Sequence, residues 1–128
     1  MTRSSLSVTL TEQGDISILD LKGLLVLDDG DAVFRDAIND LIARERLKIV
    51  VNLADVSYID SAGIGVMIGR YLAVKRRGGD MKLAHLTARS HRVMTITHLL
   101  TVFEAYENVE DAIKSFGEPS VSESQVRR

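Results

Sequence analysis

A serine at the predicted start of a helix is the residue of this chain best placed to do chemistry. It stands in the segment Asp60-Ser61-Ala62-Gly63-Ile64-Gly65, which follows the apolar residues 49–53 and a short polar loop. A serine oxygen at a helix N-terminus accepts a hydrogen bond from a backbone N–H group that has no partner within the helix. The same N–H groups and the positive end of the helix dipole would also receive a phosphate on that oxygen. The residues alone leave two interpretations of Ser61, an ordinary helix cap and a hydroxyl that a kinase can modify.

Asp60 is open to two interpretations as well. Aspartate is as good an N-cap as serine, so Asp60 could cap the helix and leave Ser61 at the first helical position. Alternatively, its carboxylate lies within reach of the seryl hydroxyl and helps a kinase to orient it.

Residues 51–65 resemble the signature of the STAS-domain family, the bacterial anti-sigma-factor antagonists. The resemblance continues in the same order through residues 77–83 and 99–106 and ends near Phe116, so it covers nearly the whole chain. It implies the STAS fold and places the family's phosphorylated aspartate–serine pair at Asp60 and Ser61.

The function that this resemblance implies is that of a phospho-regulated switch and not of an enzyme, with neither a cofactor nor a metal. The unphosphorylated protein would bind an anti-sigma factor with serine-kinase activity and so free a sigma factor. That partner would phosphorylate Ser61 and release the protein, and a serine phosphatase would reset it. Two alternatives are a STAS scaffold module of a stress-sensing complex and a partner of a response regulator. A third, from another class, is a nucleotide-binding protein or enzyme.

The expected partner surface surrounds Ser61. On a helical wheel, Ile64, Ile68, Tyr71 and Leu72 share one arc, which we expect to face the core. Two further apolar side chains then lie outside that arc and would be exposed near the serine. The predicted partner-binding residues are Asp60, Ser61, Ala62, Gly63, Val66 and Met67.

Asp28 and Asp29 are two further candidates for that surface. Many family members carry an aspartate near the partner surface three residues after the glycine that ends the second strand. Here the apolar residues 24–27 separate Gly23 from Asp28. This longer spacing favours a solvated turn before the next helix over a partner contact.

Other kinds of site match poorly. A dinucleotide-binding G-x-G-x-x-G would need glycine at position 68, where isoleucine stands, and an acidic residue after the next strand, where Leu86 and Thr87 stand. Residues 54–60 are also expected to separate the preceding strand from the glycines. The G-x-S-x-G pattern of hydrolases is absent around Ser61. No cysteine is present, and His91 and His98 are seven residues apart, which does not fit a helical zinc pair.

Composition sets the broad class of protein. The 128 residues are 45% hydrophobic and 27% charged, which is ordinary for one soluble domain. The net charge of −2 does not favour a nucleic-acid partner. No apolar run approaches the roughly 20 residues that span a bilayer, and residues 1–14 lack a signal-peptide pattern. We therefore expect a cytoplasmic protein with no membrane partner.

The predicted fold class is α/β, a STAS-like mixed sheet packed with about four helices. An antiparallel hairpin joins a strand around Leu6, Val8 and Leu10 to a strand over residues 16–21. Strand–helix alternation follows and implies right-handed crossovers. Further helices are expected over residues 31–44 and 61–77, after Thr87, and from Asn108 to Phe116. Further strands are expected over residues 47–53, 81–86 and 102–103. We expect a STAS-like domain over residues 1–117 and a disordered tail over residues 118–128.

Overall fold

One mixed sheet organises the molecule. The computed structural model describes residues 5–96, 98 and 101–117. The five strands lie in the sheet in chain order. The first pair is antiparallel, and each later strand is parallel to the one before it. They are β1 Leu6–Gln13, β2 Ile16–Leu25, β3 Lys48–Ile59, β4 Asp80–Ala84 and β5 Ala105–Tyr106. The predicted α/β class and the N-terminal hairpin are confirmed.

Four helices cover the two faces of this sheet: α1 Gly30–Ala43, α2 Ser61–Arg76, α3 Ala88–Ile96 and α4 Val109–Phe116. The larger core contains Phe34 of α1, Met67 of α2 and Met94 of α3. The smaller core lies on the opposite face, where Ala112 of α4 packs with Val50 of β3. Because side chains alternate along a strand, successive residues of β2 and β3 supply the two cores in turn.

Several predicted strand boundaries are wrong. Strand β3 continues through residues 54–59, which we expected to form a polar loop, because β2 also extends and pairs with it as far as Leu25↔Ile59. Strand β4 ends at Ala84, two residues earlier than predicted. The last strand is Ala105–Tyr106 and not residues 102–103, because the short pairing with β4 begins at Leu83↔Ala105.

The predicted core face of α2 is also wrong. Its buried residues are Gly63, Met67 and Val74, whereas Leu72 is 45% exposed. Ile64, Ile68 and Tyr71 are only partly buried. This helix carries apolar side chains on every side, so the sequence pattern does not select one face.

Side-chain caps begin two of the helices as expected. The Thr87 hydroxyl accepts from Ser90 N–H at 3.1 Å, at the start of α3. The Asn108 side chain accepts from Asp111 N–H at 2.8 Å and begins α4. The tail over residues 118–128, which we predicted to be disordered, lies outside the described residues.

Candidate functional site

The candidate site lies where β3 passes directly into α2. The strand ends at Ile59 and the helix begins at Ser61, so Asp60 is the one residue between them. The parallel partner strand β2 ends beside it, because Leu25 pairs with Ile59. The loop that follows β2 is therefore brought to the start of α2, and the site combines these two segments.

Asp60, and not Ser61, caps helix α2. Its Oδ1 accepts from Gly63 N–H at 2.9 Å, and its backbone is extended as an N-cap requires. Its Oδ2 accepts from Leu27 N–H at 3.1 Å and ties the β2–α1 loop to the helix. These hydrogen bonds, first from Gly63 and then from Leu27, hold the pKa of the Asp60 carboxyl below its ordinary value. The carboxylate is therefore ionised at neutral pH.

Ser61 occupies the first helical position and is exposed. Of the two caps that the sequence allowed, the structure has Asp60, because its carboxylate already accepts from the Gly63 N–H group that a serine cap would use. Within the described part of the chain, no residue hydrogen-bonds the Ser61 hydroxyl. The hydroxyl therefore points from a fixed backbone position into solvent, where another protein can reach it.

Gly63 allows the helix to approach the sheet closely. A Cβ atom built on Gly63 would lie 2.2 Å from the carbonyl oxygen of Leu25, far inside van der Waals contact. Gly63 is itself buried, whereas Ala62 is half-buried. The glycine thus fixes the position of the first turn of α2 and, with it, the position of Ser61.

The expected exposed pair of Val66 and Met67 is not found. Met67 is 0% exposed and belongs to the larger core. Val66 is half-buried and packs against the same core. Both were misplaced because the assumed core face of α2 was wrong, so Met67 cannot contact a partner and Val66 offers only part of its surface.

The two aspartates of the β2–α1 loop lie near Asp60 but differ in their contacts. Asp29 Oδ2 accepts from Ser5 N–H at 2.9 Å, which ties the beginning of β1 to the start of α1. Asp28 is exposed and has a left-handed backbone with φ of 66°. The turn that we expected is present, and Asp29 has a structural role within it.

The same loop contains an exposed leucine that the sequence did not predict to be part of the site. Leu27 is 60% exposed although its N–H group is fixed by Asp60. Residues 24–27 form an unbroken apolar run, so no pattern distinguishes buried Leu25 from exposed Leu24 and Leu27. Tyr58 is also exposed, and the Arg89 guanidinium lies 5.7 Å from the centre of its ring.

Two features at the start of α2 bear on nucleotide binding. A strand does directly precede the glycines of α2, contrary to expectation. However, the N-terminus of α2 already receives the Asp60 carboxylate, which occupies the Gly63 N–H that a nucleotide phosphate would use.

Over the described residues, no group of three histidine, cysteine, aspartate or glutamate side chains is placed to hold a metal ion. The same residues contain no helix with the length and apolar character needed to cross a membrane.

Comparison with known proteins identifies the family. The family profile described as STAS domain matches residues 7–112. The chain belongs to the STAS-domain family. This match spans all five strands of the sheet apart from Leu6 and includes the Asp60–Ser61 pair.

Three relatives illustrate the extent of the similarity. The anti-sigma F factor antagonist of Paenibacillus polymyxa is 27% identical over 110 residues, which cover 85% of this chain and 93% of that protein. The anti-sigma-B factor antagonist of Bacillus subtilis is 34% identical over 73 residues, which cover 57% of this chain and 67% of that protein. The structure of the Bacillus cell fate determinant SpoIIAA in its phosphorylated form aligns with a TM-score of 0.68 at 20% identity, over 86% of this chain and 99% of that one. The mixed sheet with its four helices is thus the STAS fold.

Proposed function

We propose that this protein is an anti-sigma factor antagonist whose binding to its partner is switched off by phosphorylation of Ser61. The observation that carries the proposal is the exposed Ser61 hydroxyl at the first position of α2, next to an ionised Asp60. The relatives named as anti-sigma factor antagonists support the same role. In this proposal the partner is an anti-sigma factor with serine-kinase activity, and a serine phosphatase removes the phosphate.

The site favours modification without unfolding. A kinase must reach the hydroxyl and find it in a constant position, and both conditions follow from the cap. Asp60 fixes the first turn through Gly63, while Ser61 itself makes no contact that would have to break. No catalytic residue is needed in this chain, because the partner supplies the kinase activity.

The effect of the phosphate follows from charge. Phosphorylation adds a charge of about −1.5 to −2 at neutral pH. At a free helix N-terminus the backbone N–H groups would compensate part of that charge. Here the Gly63 N–H group already donates to Asp60, so the phosphate adds to an existing negative charge. The exposed Asp28 carboxylate belongs to the adjoining loop and increases the local negative charge.

This charge is sufficient to redirect a partner. A loss of roughly 3 kcal/mol of binding free energy weakens affinity about 100-fold. Repulsion and the desolvation of a phosphate at the centre of a contact surface supply an effect of that order. We propose that the surface comprises Asp60, Ser61, Ala62 and the exposed part of Val66, together with Leu27 from the adjoining loop.

Phosphopeptide mapping tests the proposed site. The protein is incubated with ATP and each anti-sigma factor kinase of its own organism, and the modified residue is identified by mass spectrometry. We expect modification at Ser61 alone and none in Ser61→Ala. Modification of Ser57 or Ser90 with Ser61 untouched would contradict the proposal. Ser57 is the informative control because it is exposed, whereas Ser90 is buried.

Binding measurements test the switch separately from the modification. Ser61→Ala should bind the partner with the same affinity as the unphosphorylated wild type. Ser61→Asp should bind at least tenfold more weakly, because it places a permanent charge beside Asp60. Equal affinity of the two variants would rule out a charge-controlled interface.

A further inference from the structure

Strand β1 forms an open edge of the sheet. One side of it pairs with β2 through an uninterrupted register from Leu6↔Gly23 to Gln13↔Ile16. Among the described residues, no strand pairs with its other side. Proteins usually protect such an edge with a lysine, a proline, a bulge or a very short strand. None of these is present in β1, and its one charged residue, Glu12, is paired with Arg44 and Arg46 of the same chain.

The hairpin turn determines which backbone groups of β1 face outward. Gln13 and Ile16 close a two-residue turn and therefore exchange hydrogen bonds with each other. Because bonded and non-bonded positions alternate along an antiparallel pair, the backbone groups of Thr11 and Thr9 face β2. Those of Val8 and Leu10 face away from it and are available to another strand.

The side chains along this edge are suited to a dry and neutral contact. Leu10 is 40% exposed, which leaves an apolar side chain in solvent at this edge. Val8 packs against the larger core but remains half-buried. On the other face of the strand, Ser7, Thr9 and Thr11 are exposed hydroxyl residues. Valine and threonine, being β-branched, pack well on a pleated surface.

We propose that β1 pairs with β1 of a second copy of this chain in antiparallel orientation, with Thr9 on the two-fold axis. This register places Val8 opposite Leu10 of the other copy on both sides of the axis, so the outward backbone groups of these two residues bond to each other. It also places Thr9 opposite Thr9 and Ser7 opposite Thr11, a pairing of hydroxyl side chains that is favourable across strands. A two-fold contact requires one surface to complement itself, and this neutral segment meets no like charge when it does so.

The proposed pairing leaves the candidate switch site open. Strand β2 separates β1 from β3, and Ser61 follows the end of β3. The two five-stranded sheets would join into one continuous sheet that presents two copies of the site. The inference does not depend on the proposed function, because it concerns a different edge of the molecule.

Mass measurement in solution tests the pairing with the full chain alone. Light scattering after size-exclusion chromatography should give twice the 14.1 kDa of one chain as concentration rises. Thr9→Lys should weaken the dimer at least tenfold, because it places two ammonium groups opposite each other on the axis. Gln13→Lys adds the same charge to the same face of the strand but outside the central pairs, so it should leave the dimer intact.

A charge-exchange experiment tests the register. Thr9→Glu should also be monomeric, whereas an equal mixture of Thr9→Lys and Thr9→Glu should form the dimer again. Circular dichroism checks that each variant is folded. Should Thr9→Lys unfold, Leu10→Pro removes an outward N–H group without breaking the bonds to β2 and should likewise give a monomer. A wild type that stays monomeric at every concentration, or a dimer that survives both Thr9→Lys and Leu10→Pro, would overturn the proposal.

Discussion

Two adjacent residues at the β3–α2 junction have separate tasks. Asp60 receives N–H groups from both Gly63 and Leu27 and so holds the helix and the neighbouring loop together. Ser61 has no such contact within the described part of the chain and presents its hydroxyl to solvent. The residue that fixes the geometry is therefore not the residue that we expect to be modified, and the two can be tested independently.

Substitution at these two positions should affect stability very differently. Ser61→Ala should change the free energy of unfolding by less than about 0.5 kcal/mol, as is usual for an exposed residue without partners. Asp60→Ala should lower the melting temperature clearly, because it removes the N-cap of α2 and the Leu27 hydrogen bond. Thermal unfolding followed by circular dichroism measures both. A larger loss in Ser61→Ala than in Asp60→Ala would mean that Ser61 is the cap after all.

The pH dependence of the stability lost in Asp60→Ala provides a second check that Asp60 is the cap. Hydrogen bonds to the ionised carboxylate lower the pKa of Asp60 in the folded protein. The stabilisation is therefore fully present above the unfolded pKa of about 3.9 and is lost as the pH falls through the lower folded pKa. The difference in melting temperature between wild type and Asp60→Ala should be constant near neutral pH and should shrink below about pH 4.

Leu27 is the exposed apolar side chain held beside the switch. If the partner covers this site, Leu27→Ser should weaken binding of the unphosphorylated protein by about tenfold, or roughly 1.4 kcal/mol. Leu72→Ser is a matched control, since Leu72 is also exposed but lies eleven residues along α2 from Ser61. Calorimetry with the partner kinase measures both. Equal losses in the two variants would argue against a local role for Leu27.

At the scale of elements, the approach of α2 to β2 decides where the serine lies. Gly63 has no room for a side chain because the Leu25 carbonyl oxygen stands in its place. At Gly65, two residues later, an added Cβ atom would meet nothing within 4 Å. Of the two glycines in Gly63-Ile64-Gly65, only the first is required by packing, although no local sequence pattern distinguishes them.

Alanine substitution should separate these two glycines. Gly63→Ala should destabilise the protein by about 1–3 kcal/mol, because the helix must move away from β2. Gly65→Ala should stabilise it by about 0.5–1 kcal/mol, because alanine is the better helix former. Urea unfolding of both variants gives the comparison. If Gly63→Ala is tolerated without loss, the first turn of α2 is not held against β2 as described.

At the scale of the whole molecule, the sequence was informative where one face of an element is apolar. In α1 the apolar residues Phe34, Ile38, Leu41 and Ile42 recur on one helical face, and the first three are buried while Ile42 packs partly buried against the larger core. The sequence pattern failed for α2, since an element that is apolar all round can be placed only by what packs against it. It also failed for the last part of β3, because strand pairing and not local pattern carries that strand to Ile59. Ser61 does lie at the start of α2 as predicted, whereas the predicted exposure of Met67 is wrong.

The smaller core depends on a buried lysine that joins three elements. Lys82 of β4 is 6% exposed, and its Nζ lies 2.9 Å from Oε1 of Glu104, the residue before β5. The same Nζ lies 4.6 Å from the centre of the Phe116 ring in α4 and 5.6 Å from that of Tyr106. Tyr106 also donates a hydrogen bond to Glu104. This cluster fastens α4 and β5 to the rest of the sheet.

Removing one partner of this ion pair should cost more than removing the buried charge itself. Glu104→Ala leaves the Lys82 ammonium buried without its carboxylate and should cost about 1–3 kcal/mol. Lys82→Met keeps an apolar stem between the two rings and leaves Glu104 able to turn to water, so it should cost about 1 kcal/mol or less. Urea unfolding gives both values. Both variants abolish the attraction between the two charges, so a greater loss in Lys82→Met would mean that the ammonium beside the Phe116 and Tyr106 rings, and not burial of the lysine stem, holds α4 on the sheet.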